Sequence, residues 1–174
     1  MTKQTIAVFG SSEPVPGDAL YDQAQELGRR LAESGRILIT GGYGGVMEAA
    51  SKGAQQAGGQ TVGVTCRGFA DREPNAYLST VLSTDDLHER TATLIDRADG
   101  FIVMHGKAGT LAELAQLWAL ERAGCLAGRP VVLLGESWEA LLCHLVTGGI
   151  LEEPQRVVSR IEENPRDAVR ALDG

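Results

Sequence analysis

Cysteine is scarce in this chain. Its three copies, Cys66, Cys125 and Cys143, fall at no spacing that would chelate a metal or build a disulfide framework. An odd number of scattered thiols reads as reduced, unpaired cysteine, so no metal site is expected. No apolar run is long enough to span a bilayer. The opening Met1-Thr2-Lys3-Gln4 leads into a strand-like stretch with no secretory pattern, so the cytoplasm is the expected location. Positive charge is in deficit: 16 Lys and Arg against 23 Asp and Glu leave a formal net charge of −7. That balance argues against nucleic acid or an anionic membrane as a partner. A phosphate would have to be held locally, by backbone amides and a few basic side chains. Two phosphate-binding signatures are also missing. The dinucleotide pattern G-x-G-x-x-G is replaced after the first strand by Gly10-Ser11-Ser12, and Gly106-Lys107 is followed by Ala108 where a P-loop needs Ser or Thr. Nicotinamide and nucleoside triphosphate chemistry are therefore disfavoured.

What is present is a regular alternation. With 174 residues a single domain over 1–174 is expected. Strand-like apolar runs occur at 5–9, 37–40, 61–65, 101–104 and 130–134, with weaker ones at 78–82 and 157–159. Helical patterns lie between them, at about 18–33, 46–57, 87–98, 110–123 and 138–146, with a short one after Pro165. The strong strands show no period-two alternation, which is the mark of a parallel sheet buried on both faces. Ligands of such sheets sit beyond the carboxyl ends of the strands, where strand order reverses. Glycine- or serine-bearing turns stand at three of those ends: Gly10–Ser12, Gly41–Gly45 and Gly106–Thr110. The irregular stretch Cys66–Leu78 has the length of a functional loop.

The most informative segment is His105-Gly106-Lys107-Ala108-Gly109-Thr110-Leu111-Ala112-Glu113. A turn from a buried strand into a helix aims amides and the positive end of the helix dipole at one point, which suits a phosphate. Glu113 then falls within the first turn of the expected helix. Asp86 reads as an N-cap with Glu89 as its capping-box partner, which places Arg90 one turn into the helix before the key strand. The Gly41–Gly45 run has two readings, close packing of a strand-to-helix turn or a cradle of free amides.

Together these segments resemble the lonely-guy (LOG) family of nucleoside 5′-monophosphate phosphoribohydrolases, also described as lysine-decarboxylase-like. The resemblance runs to about Leu145. It rests on Gly10-Ser11-Ser12, on Gly45-Val46-Met47-Glu48-Ala49-Ala50, on Asp86-Leu87-His88-Glu89-Arg90, and on a gapless match of His105–Glu113 to P-G-G-x-G-T-x-x-E. It implies a three-layer Rossmann-like α/β fold with a mostly parallel central sheet. It also implies a homodimer and hydrolysis of a nucleoside 5′-monophosphate, such as a cytokinin riboside monophosphate or AMP, without a cofactor. Arg90 and Glu113 fall on the catalytic positions. Gly10, Ser11, Gly42, Gly44, Gly45, Gly106, Lys107, Gly109 and Thr110 fall on the substrate-binding ones. The chain departs from the pattern at His105 (Pro in the family), Lys107 (Gly), Thr91 (commonly Lys) and Ala112 (commonly acidic). The changes at 105 and 107 favour a second reading, a non-catalytic binding protein, since similar folds carry the molybdenum cofactor or sense nucleotides.

Overall fold

The computed structural model describes residues 3–69, 71–152 and 159–174. In chain order the strands are β1 (Thr5–Phe9), β2 (Ile37–Thr40), β3 (Thr61–Cys66), β4 (Thr80–Thr84), β5 (Gly100–Met104), β6 (Val131–Leu134) and β7 (Ser159–Glu162). The α-helices are α1 (Ala19–Glu33), α2 (Val46–Gln56), α3 (Leu87–Asp96), α4 (Ala108–Arg122), α5 (Ser137–Thr147) and α6 (Pro165–Arg170). The strands form one seven-stranded sheet in the order β4-β3-β2-β1-β5-β6-β7. Every pairing is parallel. The parallel α/β sheet expected from the alternation, and the Rossmann-like architecture that the family resemblance implies, are what is observed.

The apolar runs of β1, β2, β5 and β6 lack alternation because each of these strands feeds two cores. Ile6 and Val8 of β1 pack on one side with α1, α2 and α6, while Ala7 and Phe9 pack on the other with α3, α4 and α5. β4 lies at the sheet's edge, which explains its weak apolar signal, and Thr80 and Val81 are exposed there. The weak strand expected at 157–159 is observed as β7 from Ser159, and its first two residues lie outside those described. Among the described residues, no helix is long and apolar enough to cross a membrane.

On the α1–α2 side the helices approach through glycine. A Cβ on Gly28 would run into the backbone carbonyl of Ala50, and one on Gly53 into that of Gln25. Gly28→Ala should therefore destabilise the protein by about 2 kcal/mol, the cost of overpacking exceeding the gain in helix propensity. A lowered urea midpoint at unchanged m-value would register it.

The chain proceeds from β1 through β2 and β3 to β4, then returns to place β5 against the other side of β1. Strand order reverses between β1 and β5, so the loops after these two strands flank the position where ligands of such sheets bind.

Candidate functional site

A cavity of about 380 Å³ opens at this reversal. The loops after β1, β2, β3 and β5 and the starts of α3 and α4 all reach it. Among the residues singled out from sequence, Gly10, Ser11, Arg90, Lys107, Gly109, Thr110 and Glu113 line it together. Gly42, Gly44, Gly45 and Gly106 do not. Gly45 (φ 68°) lets the start of α2 lie against the backbone of Ser11 and Ser12. Gly42 packs on Gly63 and Thr65, and its amide donates to Thr40 Oγ1 (3.2 Å). A side chain on Gly106 would collide with Thr110. Gly44 lies beside Ser12 and Glu48. The close-packing reading of the glycine run accounts for Gly42 and Gly45, whereas a Cβ on Gly44 would meet only ordinary contacts.

Arg90 is placed from below. Asp86 caps α3 by accepting from the Glu89 amide (2.9 Å), and Glu89 Oε2 accepts in turn from the amide of Asp85 (2.7 Å). The reciprocal box forms as expected, reaching one residue further back. One turn on, the Arg90 side chain is buried. Its Nε donates to the Val64 carbonyl (2.8 Å) and its Nη2 to the Gly41 carbonyl (3.0 Å). Glycine at 41 leaves room for this guanidinium, because a Cβ there would overlap Nη2 and displace it. The guanidinium also lies over the Tyr43 ring, 5.6 Å from its centroid. The Tyr43 hydroxyl both donates to the Cys66 carbonyl (3.2 Å) and accepts from the Cys66 amide (2.9 Å).

These contacts leave Nη1 facing Glu113, whose Oε1 lies 3.9 Å away. Burial raises the Glu113 carboxyl from its ordinary 4.5 to about 7, and the Arg90 charge offsets only part of that rise. Burial likewise lowers the Arg90 guanidinium, against the pull of Glu113. α4 begins at Ala108, two residues earlier than the sequence pattern indicates, so Glu113 stands on its second turn. Gly109, which reads as turn, is already helical. The first backbone bond of α4 runs from the Leu111 amide to the Lys107 carbonyl (2.9 Å). The amides of Ala108, Gly109 and Thr110 precede the first intrahelical donor, the Leu111 amide, and so have no acceptor within the helix; Gly109 and Thr110 line the cavity.

The Ser11 amide donates to the His105 carbonyl (3.1 Å), clasping the β1 and β5 loops together. His105 itself is exposed and outside the lining. Lys107 stands at the mouth, its Nζ 2.7 Å from Glu13 Oε1. Tyr43, Glu13, Phe69 and Arg72 also line the cavity. Tyr43 was signalled only by its odd place inside a glycine run, and Phe69 and Arg72 only by the length of their loop.

The SLOG cluster4 family model matches residues 3–156 of this sequence. The chain belongs to the SLOG cluster4 family. Membership agrees with the LOG resemblance of the motifs. A cytokinin riboside 5′-monophosphate phosphoribohydrolase of Mycobacterium tuberculosis is 31% identical over 175 residues, covering 96% of this chain and 92% of the relative. Among solved structures, the molybdenum cofactor binding protein of Rippkaea orientalis superposes with a TM-score of 0.78 at 25% identity, covering 99% of this chain and 97% of the other. The molybdenum cofactor carrier protein of Chlamydomonas reinhardtii gives 0.71 at 26% identity, over 99% and 97%. This SLOG cluster4 member thus has sequence relatives named as hydrolases and structural neighbours named as carriers.

Proposed function

We propose that this protein hydrolyses the N-glycosidic bond of a nucleoside 5′-monophosphate, releasing the free base and ribose 5-phosphate. The observation that carries this reading is the Glu113 carboxyl, largely shielded from water and 3.9 Å from the fixed Arg90 guanidinium inside the cavity, an environment that pushes its pKa up to about 7. Breaking the bond between C1′ and the base nitrogen leaves positive charge on the sugar. An ionised Glu113 beside C1′ stabilises that charge. It also takes a proton from the attacking water as the new C1′–O bond forms, and the departing base takes up a proton in turn. Arg90 binds and orients the nucleotide. The 5′-phosphate is assigned to the amides of Gly109 and Thr110, the Thr110 hydroxyl and Ser11, with Lys107 as a nearby point charge. The relatives named phosphoribohydrolases support this reading. The substrate is a nucleotide and the site needs neither cofactor nor metal.

A second reading, a carrier of a phosphorylated ligand such as the molybdenum cofactor, is favoured by the superposition on the Rippkaea orientalis protein along 99% of this chain. Incubation with nucleoside monophosphates, followed by chromatography for free base, separates the two. Base release supports the hydrolase, and binding without release supports the carrier.

Glu13 occupies the charge that Lys107 would offer a phosphate. Both side chains are well exposed, so the pair itself is weak. Glu13→Gln should tighten binding of ribose 5-phosphate by about 2- to 5-fold at low salt, with the gain fading at high salt. Calorimetric titration measures this, and an unchanged affinity would remove Lys107 from the phosphate end. Location in the cytoplasm and assembly as a homodimer are part of the same proposal.

A further inference from the structure

The loop after β3 carries a cation that the proposed chemistry does not use. Arg72 lines the cavity and makes no ion pair among the described residues, whereas Lys107 is neutralised by Glu13 and Arg90 faces Glu113. Its guanidinium lies 5.1 Å from the centroid of the Phe69 ring. Phe69 is braced in turn by Tyr43, edge to face, with centroids 5.7 Å apart. The loop is tied down at several points. The Arg72 amide donates to the Phe69 carbonyl (2.9 Å), the Asn75 amide to the Gly42 carbonyl (2.9 Å) and Asn75 Nδ2 to the Tyr43 carbonyl (3.0 Å). The loop backbone is thereby fixed, and the exposed Arg72 side chain presents its planar fork of donors at one end of the cavity, resting on the Phe69 ring.

Strand order fixes what lies between the two ends. β5, β1, β2 and β3 are successive neighbours, so the loops after β5 and β3 stand three strand spacings apart, about 14 Å. That matches the reach of a mononucleotide from its phosphate to the far edge of its base. With the phosphate at the start of α4, the sugar falls near Glu113 and Arg90, and the base falls toward Phe69 and Arg72.

We infer that Arg72 reads the base edge and selects 6-oxopurine nucleotides, of the GMP and IMP kind, over AMP. This rests on the phosphoribohydrolase reading for the direction in which the nucleotide lies. Arginine offers only donors. A 6-oxopurine presents O6 and N7 as a pair of acceptors that matches the fork. Adenine presents an amino group at position 6, so one donor would face another.

The test is calorimetric binding of GMP, IMP, AMP and ribose 5-phosphate to Glu113→Gln protein, whose turnover should be slowed about 10³-fold, alone and combined with Arg72→Ala or Arg72→Lys. GMP and IMP should bind at least about 10-fold tighter than AMP. Arg72→Ala should abolish that preference while leaving ribose 5-phosphate affinity in place. Arg72→Lys keeps the charge without the fork and should lose most of the preference. AMP binding as tightly as GMP, or a preference that survives Arg72→Ala, overturns the assignment. A loss of ribose 5-phosphate affinity in Arg72→Ala overturns it too, by placing Arg72 on the phosphate. If no nucleotide or sugar phosphate binds, the phosphoribohydrolase reading falls with it. If base is released from GMP and AMP alike, that reading stands and this one alone is lost.

Discussion

Glu113→Gln should slow release of free base from a nucleoside monophosphate by about 10³-fold, within the range that a positioned acid–base group supplies. The amide is nearly the same size as the carboxyl and reaches the same place on α4. What it lacks is charge. It cannot balance a cationic sugar, and it cannot accept a proton from water. Nucleotide affinity should fall far less, because the contacts assigned to the phosphate lie on other residues. Single-turnover assays with product chromatography, alongside circular dichroism to verify the fold, would measure this. Turnover close to the parent's would end the hydrolase mechanism built on Glu113, even if the nucleotide were shown to bind.

The second large effect is on pH. A base that must be ionised and that titrates near 7 predicts kcat/KM rising about tenfold per pH unit below 7 and levelling above it. Stability should run the opposite way. The folded carboxyl holds its proton up to about pH 7, whereas the unfolded one releases it near 4.5. Between those values the folded state binds more protons than the unfolded state, so unfolding free energy declines as pH rises. Over that window the parent should lose about 3 kcal/mol relative to Glu113→Gln, which does not titrate. Urea melts of both proteins at pH 4, 6 and 8 measure the divergence. Parallel stability curves would mean that Glu113 carries an ordinary carboxyl.

Much of the fold was legible because its physics is local. Residues 5–9 and 37–40 read as strands, and the structure keeps those bounds, since both runs are apolar in their interiors and a glycine, Gly10 or Gly41, stops each of them. Strand order is not local. Nothing in residues 66–78 announces that their loop will stand across the cavity from α4, because that follows from β5 docking beside β1. Phe69 and Arg72 were therefore invisible as site residues, although their loop was suspect. The start of α4 was misplaced for a different reason. Gly109 has weak helix propensity and looks like part of the turn, yet the helix already runs through it, in an exposed stretch with open space around it. The glycine run was ambiguous for good cause, since Gly41 makes room for Arg90 while Gly42 and Gly45 serve the packing of the turn.

The two carbonyls that hold Arg90 belong to residues 26 and 49 positions earlier in the chain. One lies within β3 and the other just past the end of its neighbour β2, and the guanidinium works as a rivet driven through both from a third element. No short stretch of this polypeptide can assemble the site in advance, because the rivet has nothing to grip until the distant β2, β3 and α3 have met. Contacts of such long sequence separation form late and cooperatively in folding. Occupancy of the cavity is thus tied to the integrity of that half of the sheet, and a ligand there would protect it as a unit.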